Sequence, residues 1–182
     1  MTKHRVLPLV AALSASPAAA AQDPLLGQFV GLAHEVDETK GTSIDREIDI
    51  VITEQGNNGL KIDWTNVTLV NGRRDVPGVK RRSDEVLLAP ARDRDFYLAG
   101  VGYDPFQVKE TIDPVLGDPL RWATRDGNEL VVYSFVILDD GRYELQVYNR
   151  AATPDGGLDL SFERIVDGEV TRRMTGHAVR AE

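Results

Sequence analysis

Cysteine is missing from this chain of 182 residues, so the protein can contain neither disulfides nor a thiol nucleophile. The sequence also lacks the G-x-S-x-G and H-E-x-x-H motifs and any glycine-rich phosphate loop, which argues against the common hydrolase, zinc-protease and nucleotide-binding sites. Beyond residue 21, no segment approaches the roughly 18 consecutive apolar residues of a membrane helix. We therefore predict a fold that rests on its hydrophobic core, with no catalytic residue, no metal and no cofactor.

The first residues have the composition of a secretory signal peptide. Lys3 and Arg5 form a short basic head, an apolar stretch follows, and small residues lead to an A-x-A cleavage site near Ala20 or Ala21. We predict that residues 1–21 are removed and that residues 22–182 form a single domain. The protein is then exported, either to a periplasm or to the outside of the cell.

Basic residues are few compared with acidic ones. The whole chain has 21 Lys and Arg against 29 Asp and Glu, a formal charge of −8. Without Lys3 and Arg5, 19 basic residues remain against 29 acidic ones, and the charge becomes −10. Because phosphate backbones and anionic lipids repel such a surface, we expect neither as a partner.

The most apolar stretch, Leu130 to Leu138, is bounded by Asp126-Gly127-Asn128 and Asp139-Asp140-Gly141. Its length, its β-branched and aromatic residues and its flanking turns predict a buried strand between two hairpins. Similar alternating segments and short turns recur along the chain and predict eight to ten strands, with no connection long enough for a parallel pair. An antiparallel meander of this length avoids open edges by closing into a barrel, so the predicted fold class is an all-β barrel.

The alternation of apolar and polar residues predicts which side chains face inward. After Leu145 and Val147 are assigned to the inside, Glu144, Gln146 and Glu163 fall on the outside. A polar outer surface is the opposite of the apolar band of a membrane barrel, so we predict a soluble barrel without a membrane span. The apolar parity also changes between Trp64 and Val67, which predicts a β-bulge at residues 65–66.

One short pattern resembles a known group of barrels. Gly27-Gln28-Phe29 lies on the predicted first strand, and Arg172, Arg173 and Arg180 lie on the last. This is similar to the calycin pattern of lipocalin-like barrels, in which a glycine and an aromatic residue of the first strand pack under an arginine of the final strand. The usual tryptophan is replaced by Phe29, and the pattern leaves open which arginine packs there.

Five residues are candidates for a ligand site inside such a barrel. An inward Arg172 or Arg164 could meet an acidic ligand group, because a buried guanidinium needs a partner. The aromatic candidates are Trp64, Trp122 and Phe162. The alternatives are that Arg172 is a structural clamp over Phe29 and that the rings simply fill an interior as narrow as that of an eight-stranded barrel.

Histidines offer a further alternative. His34 and His177 lie on or beside the first and last predicted strands, so closure of the barrel would make them neighbours, with Glu35 or Asp37 nearby. The alternation places His177 on the outside, which favours two ordinary surface histidines. Glu35 and Asp37 fall within a predicted charged loop that runs from His34 to Gly41.

The function that these residues favour is binding of a small, largely apolar ligand. One alternative is a protein-interaction module with a filled core, including a homodimer through the outward face of the Leu130–Leu138 strand. Another is an enzyme that uses loop carboxylates. The long irregular segment 104–119 is a candidate lid. A cavity above about 300 Å³ beside Trp64 or Trp122 would favour ligand binding.

Overall fold

The computed structural model describes residues 22–91, 95–100 and 112–181. Within them the chain forms ten strands: β1 Gly27–Asp37, β2 Thr42–Gln55, β3 Gly59–Thr68, β4 Arg81–Pro90, β5 Phe96–Ala99, β6 Leu120–Asp126, β7 Glu129–Ile137, β8 Tyr143–Ala152, β9 Leu158–Val166 and β10 Glu169–Arg180. Short 3-10 turns lie at Gly56–Asn58 and Pro114–Leu116. None of the helices in the described part of the chain is both long and apolar enough to cross a membrane.

The ten strands close into one antiparallel barrel in which each strand pairs with its neighbour in sequence. The barrel is closed by β1 and β10, which pair from Phe29 opposite Arg180 to Asp37 opposite Arg172. The predicted closed antiparallel meander is therefore confirmed, at the upper end of the predicted strand number.

Local turn chemistry explains the hairpins. Asn57 and Asn58 adopt left-handed backbone angles between β2 and β3, and Asp167 and Gly168 do so between β9 and β10. Asn, Asp and Gly tolerate this region best, and turns of this kind match the twist of the strands that they connect.

The predicted bulge at residues 65–66 is wrong. The β2–β3 register is continuous there, with Ile48 opposite Asn66 and Glu47 opposite Val67. Asn66 therefore faces inward like Trp64. The pattern of apolar residues changes at this point because the inner face of β3 becomes polar, not because a residue is inserted. The β9–β10 pairing does contain an irregularity, between Val170 and Arg172.

The hydrophobic core fills one half of the barrel, where β1 begins. The largest side chains with less than 2 % exposure there are Phe29, Leu25, Ile52, Ile62, Leu130 and Leu158. Leu25 precedes β1 and the others come from β1, β2, β3, β7 and β9, so this half is sealed by apolar packing. The hydrophobic effect, at about 25 cal/mol per Å² of buried apolar surface, is strongest here.

Arg180 is the arginine that packs over Phe29. Its guanidinium lies 4.7 Å from the centre of the Phe29 ring and donates hydrogen bonds to the carbonyl oxygens of Leu26 (2.5 Å) and Pro24 (2.9 Å). A side chain at Gly27 would collide with the same guanidinium, which explains the glycine. The structure thus confirms the calycin-like resemblance and assigns its arginine, while Arg172 lies at the other end of β10.

The parity predicted for β8 is wrong. Glu144 and Arg150 are only 5 % and 4 % exposed, and Glu144, Gln146 and Tyr148 line the interior of the barrel. Leu145 and Val147 therefore face outward. The physical reason is that the half of the barrel opposite the core has a polar interior, so the apolar parity of this strand is not its inner one.

Candidate functional site

A cavity of about 840 Å³ occupies the polar half of the barrel, beside Trp64. This volume lies within the range of about 300 to 1,000 Å³ that ordinary ligand sites occupy. The charged residues that line it are Glu35, Arg46, Arg81, Arg82, Asp84, Arg121, Glu144, Arg164 and Arg172. Six arginines and three carboxylates border the cavity, so its surroundings carry a net positive charge although the whole chain carries a charge of −8.

Three aromatic rings form a continuous surface in the cavity wall. The rings of Tyr148 and Phe162 lie 4.8 Å apart at 41°, and those of Trp64 and Tyr148 lie 5.9 Å apart at 47°. Tilted ring pairs at these distances are favourable, and together they form an apolar surface on which a flat or apolar group can pack. The cavity therefore combines one apolar wall with charged surroundings.

One group of ion pairs surrounds Glu35, which is 8 % exposed. Arg46 binds both of its carboxylate oxygens, from Nε to Oε2 at 2.8 Å and from Nη2 to Oε1 at 3.1 Å, and also donates to the Thr68 hydroxyl at 3.0 Å. Arg172 approaches Glu35 Oε1 at 3.4 Å and Asp37 Oδ2 at 3.5 Å, while its buried Nε lacks a hydrogen-bond partner among the described residues. Arg172 is therefore held only loosely, and its Nε–H group can still donate a hydrogen bond.

A second group surrounds Glu144. Arg164 donates to Glu144 Oε2 from Nε at 2.8 Å and from Nη2 at 2.5 Å, and Gln146 donates to the other oxygen. Burial acts to raise the pKa of Glu144, but the hydrogen bonds from Arg164 and Gln146 outweigh it and lower the pKa below its ordinary value. The Tyr148 hydroxyl donates to Gln146, and burial raises the pKa of Tyr148 to about 12. Glu144 is thus ionised and Tyr148 neutral at physiological pH.

A third pair links two strands across the cavity mouth. Arg121 of β6 donates to both oxygens of Asp84 of β4, at 2.7 and 3.3 Å, and to the Glu85 carbonyl at 3.0 Å. Its guanidinium carbon also lies 6.0 Å from the centre of the Trp64 ring. This bidentate geometry fixes the side chain, so it defines the shape of the mouth.

Arg150 differs from the other interior arginines. It lies beside the aromatic surface, with its guanidinium carbon 5.7 Å from the Trp64 ring centre and 5.8 Å from that of Tyr148. Its Nε and Nη1 atoms have no hydrogen-bond partner within the described ranges. Burial lowers the pKa of Arg150 to about 10, so the side chain still carries its charge at neutral pH.

The structure brings four of the five predicted ligand residues together: Trp64, Phe162, Arg164 and Arg172 all line the cavity. Trp122 lies elsewhere. Its neighbours Arg121 and Ala123 face inward, and its ring stacks on Tyr133 at 5.1 Å and 8° on the outer face of the barrel. The sequence prediction placed Trp122 inside the barrel because it is an apolar residue of β6. In the structure, Arg121 of this strand faces inward instead.

The two histidines do not share a site in the structure. His34 Nδ1 lies 2.8 Å from Asp45, and His177 Nδ1 lies 2.9 Å from Asp159. His177 Nε2 also lies 3.6 Å from Asp155, so the two rings pair with different aspartates at exposed positions on the barrel. No group of three or more His, Cys, Asp or Glu residues suited to a metal ion occurs within residues 22–91, 95–100 and 112–181.

The candidate lid is described only in part. Residues 104–111 lie outside the described residues. Of the remainder, Gly117 and Pro119 line the cavity near its mouth. The Asp113 side chain accepts a hydrogen bond from the Val115 amide at 2.9 Å, which begins the 3-10 turn Pro114–Leu116. The turn lies near β7 and leads directly into β6.

Sequence reasoning missed residues that make the cavity polar, above all Glu35, Glu144 and Tyr148, and it missed the buried Arg150 beside the cavity. The sequence pattern predicts a loop at Glu35, but β1 continues to Asp37 and places Glu35 inside the barrel. The signal that was available is the strand number. Ten strands enclose a wider interior than the eight that side chains just fill, so polar residues inside can face a cavity.

Comparison with known proteins identifies the fold. No protein-family model matches the chain, and no curated protein is significantly similar to it in sequence. A solved structure, the S-type phycobiliprotein lyase CPES from Guillardia theta, matches 87 % of this chain and 89 % of its own with a TM-score of 0.54 and 12 % sequence identity. At this identity the likeness establishes a lipocalin-like barrel and not a shared activity.

Proposed function

We propose that this barrel binds a small organic molecule with an apolar, flat body and at least one acid group. The observation that carries the proposal is the cavity of about 840 Å³ whose lining combines three aromatic rings with twice as many arginines as carboxylates. The rings suit the largely apolar body that the sequence predicts. The arginines add a preference for negative charge, because guanidinium groups bind carboxylates with charge-assisted hydrogen bonds.

The cavity favours this function over an interaction module with a filled core. A filled barrel would bring side chains from opposite strands into contact, whereas here a space large enough for a ligand separates them. A homodimer through the outer face stays a prediction. The aromatic residues of this outer face include the stacked pair Trp122 and Tyr133. They also include Phe135 and Tyr143, whose ring centres lie 6.0 Å apart.

We also propose that the protein performs this binding outside the cytoplasm. The support is the basic head, apolar stretch and A-x-A site of residues 1–21. Purification from the exporting cell followed by N-terminal sequencing tests this part. A mature chain that begins near residue 21 or 22 supports it, and retention of Lys3 and Arg5 contradicts it.

The chain contains two tryptophans, and only Trp64 lines the cavity. A Trp122→Phe variant therefore makes its fluorescence a specific reporter of the cavity. We expect naphthylacetate, which has a flat ring system and a carboxylate, to change Trp64 emission with a saturable dependence on concentration. The matched Trp64→Phe variant retains Trp122 on the outer face and should show no saturable change.

Two results would contradict the proposal. One is the absence of saturation at Trp64 with naphthylacetate and also with its uncharged amide, naphthylacetamide. The other is an equal response of Trp64 and Trp122, which indicates adsorption to the surface. Native mass spectrometry of the exported protein is an independent test, because a retained small mass is expected for a binding protein and a dimer without one favours the interaction module.

A further inference from the structure

The buried guanidinium of Arg150 is the feature that the interior of the barrel leaves unexplained. Arg150 lies on β8 opposite Leu130 of β7 and Leu160 of β9, and it is 4 % exposed. Its Nε and Nη1 atoms are buried and donate to none of the described residues. An isolated buried charge costs several kcal/mol, so proteins normally pair such groups.

Neighbouring arginines show what a paired guanidinium looks like in this barrel. Arg46 binds Glu35, Arg121 binds Asp84, and Arg164 binds Glu144, each with a carboxylate oxygen within 2.8 Å. Arg150 has no carboxylate within ion-pair distance in the described part of the chain, and its guanidinium lies beside the rings of Trp64 and Tyr148. The ring faces of Trp64 and Tyr148 stabilise the cation in part, but they leave its N–H donors without acceptors.

A small space lies beside this guanidinium. About 30 Å³ is open between Ile48, Ile50, Leu160 and Arg150, and the residues that bound it also include Trp64 and Tyr148, which line the large cavity as well. One water needs about 10 to 15 Å³ of such space, so the recess holds roughly two to three water-sized atoms. It is comparable in size to the three heavy atoms of a carboxylate and is too small for a ring.

We propose that Arg150 binds the acid group of the ligand, which enters the cavity with that group first and leaves its flat body against the aromatic rings. This inference rests on the proposed function and narrows it to ligands with a terminal carboxylate or a comparable anion. The ligand supplies the hydrogen-bond acceptors that Arg150 lacks, and binding removes the cost of an unpaired buried charge.

Arg150→Met tests this assignment, because it removes the charge and keeps the length of the side chain. The titrations use naphthylacetate and naphthylacetamide, which have the same shape and differ in charge, in the Trp122→Phe background. The Trp122→Phe protein with Arg150 unchanged should bind naphthylacetate roughly 10- to 100-fold more tightly than naphthylacetamide, as expected for hydrogen bonds to a charged group. Arg150→Met should bring this ratio close to one and leave the affinity for the amide within about twofold.

Arg173→Met is the matched control. It removes one positive charge from the outer face of β10, where the side chain is 53 % exposed and pairs with Glu163 and Glu38. We expect it to keep the full preference for the acid, which excludes an effect of net charge alone. Arg150→Lys, which keeps the charge, should retain a reduced preference and serves as the second variant if Arg150→Met does not fold.

The outcomes separate this inference from the proposed function. If the parent protein binds either probe at Trp64 but Arg150→Met keeps the preference for the acid, or weakens both probes equally, the role of Arg150 is refuted and ligand binding stands. If the parent binds neither probe, the proposed function itself fails. Loss of the preference in Arg150→Met alone, with the amide still bound, supports both.

Discussion

Replacing Arg180 with methionine should weaken the closure of the barrel measurably. The guanidinium donates to two backbone carbonyls, of Leu26 at 2.5 Å and Pro24 at 2.9 Å, and covers the Phe29 ring at 4.7 Å. Methionine keeps much of the packing volume but donates no hydrogen bond, so both carbonyls lose a charged partner. The change therefore isolates the polar part of this contact.

The expected loss follows from these three interactions. A hydrogen bond from a charged group contributes about 1.5 to 3 kcal/mol, and a cation–π contact about 0.5 to 1 kcal/mol where water has access. Because the site is only partly buried, the lower ends of these ranges apply and their sum is about 3.5 kcal/mol. At roughly 2 to 4 °C per kcal/mol for a domain of this size, Tm should fall by about 7 to 14 °C.

Thermal unfolding followed by circular dichroism measures this change, with Arg173→Met as the control on the same strand. Arg173 lies on the outer surface, and exposed ion pairs contribute between about 0 and 1 kcal/mol. An Arg180→Met protein that unfolds within about 2 °C of the control would refute the reasoning, because by the same scale the polar contacts would then contribute about 1 kcal/mol or less.

Three further outcomes follow from the structure. Gly31→Ala should lower the free energy of unfolding by about 1 to 3 kcal/mol, since a Cβ there meets the His177 carbonyl across the β1–β10 pair, whereas Gly56→Ala has open space around it and should change stability by less than about 0.5 kcal/mol; urea denaturation compares the two. The hydroxyl of Thr39 is the main cause that lowers the pKa of Asp37 to about 2, so the stability that Asp37 contributes is complete above about pH 4 and is lost as the pH falls toward 2; NMR titration of that carboxyl checks the value, and Asp37→Asn should remove this part of the pH dependence. Arg150→Met without ligand should be at least as resistant to urea as the unchanged protein, because an apolar side chain replaces an unpaired buried charge, and a clear loss of resistance would show that the charge has a structural partner.

Features of the fold that depend on neighbouring residues could be predicted from the sequence. The hairpins around Asn57, Gly127 and Gly168 follow from turn chemistry that acts over four residues, and each of these residues has a positive φ in the structure. Closure into a barrel follows from the length of the meander. The strand that contains Leu130 is recognisable because its residues are apolar at nearly every position.

The candidate site could be predicted only in part, because its character depends on the width of the whole barrel. In β8 the rule that apolar residues face inward assigns Leu145 to the interior, and the structure places Glu144 there instead. A narrow barrel would make a buried Glu144 prohibitively costly, but a ten-stranded barrel contains a cavity and supplies Arg164 as its partner. Whether a polar residue such as Glu144 can face the interior therefore depends on the number of strands, and no single segment encodes that number.

The arginine over Phe29 illustrates the same difficulty at longer range. The three arginines 172, 173 and 180 have the same chemistry, and only the pairing of Phe29 with Arg180 across the closure decides among them. That pairing is fixed by the complete barrel. Local sequence could thus show that an arginine was available but not which one is used.

The contact between Arg180 and Leu26 joins residues 154 positions apart. Until β10 pairs with β1, the folding chain therefore has two unpaired sheet edges, one on β1 and one on β9 or β10, and each can pair with another molecule. Contacts so distant in sequence slow folding, because a long loop must close before they form. The protein is therefore most prone to aggregate before the barrel closes, and the pairing of β1 with β10 removes both exposed edges.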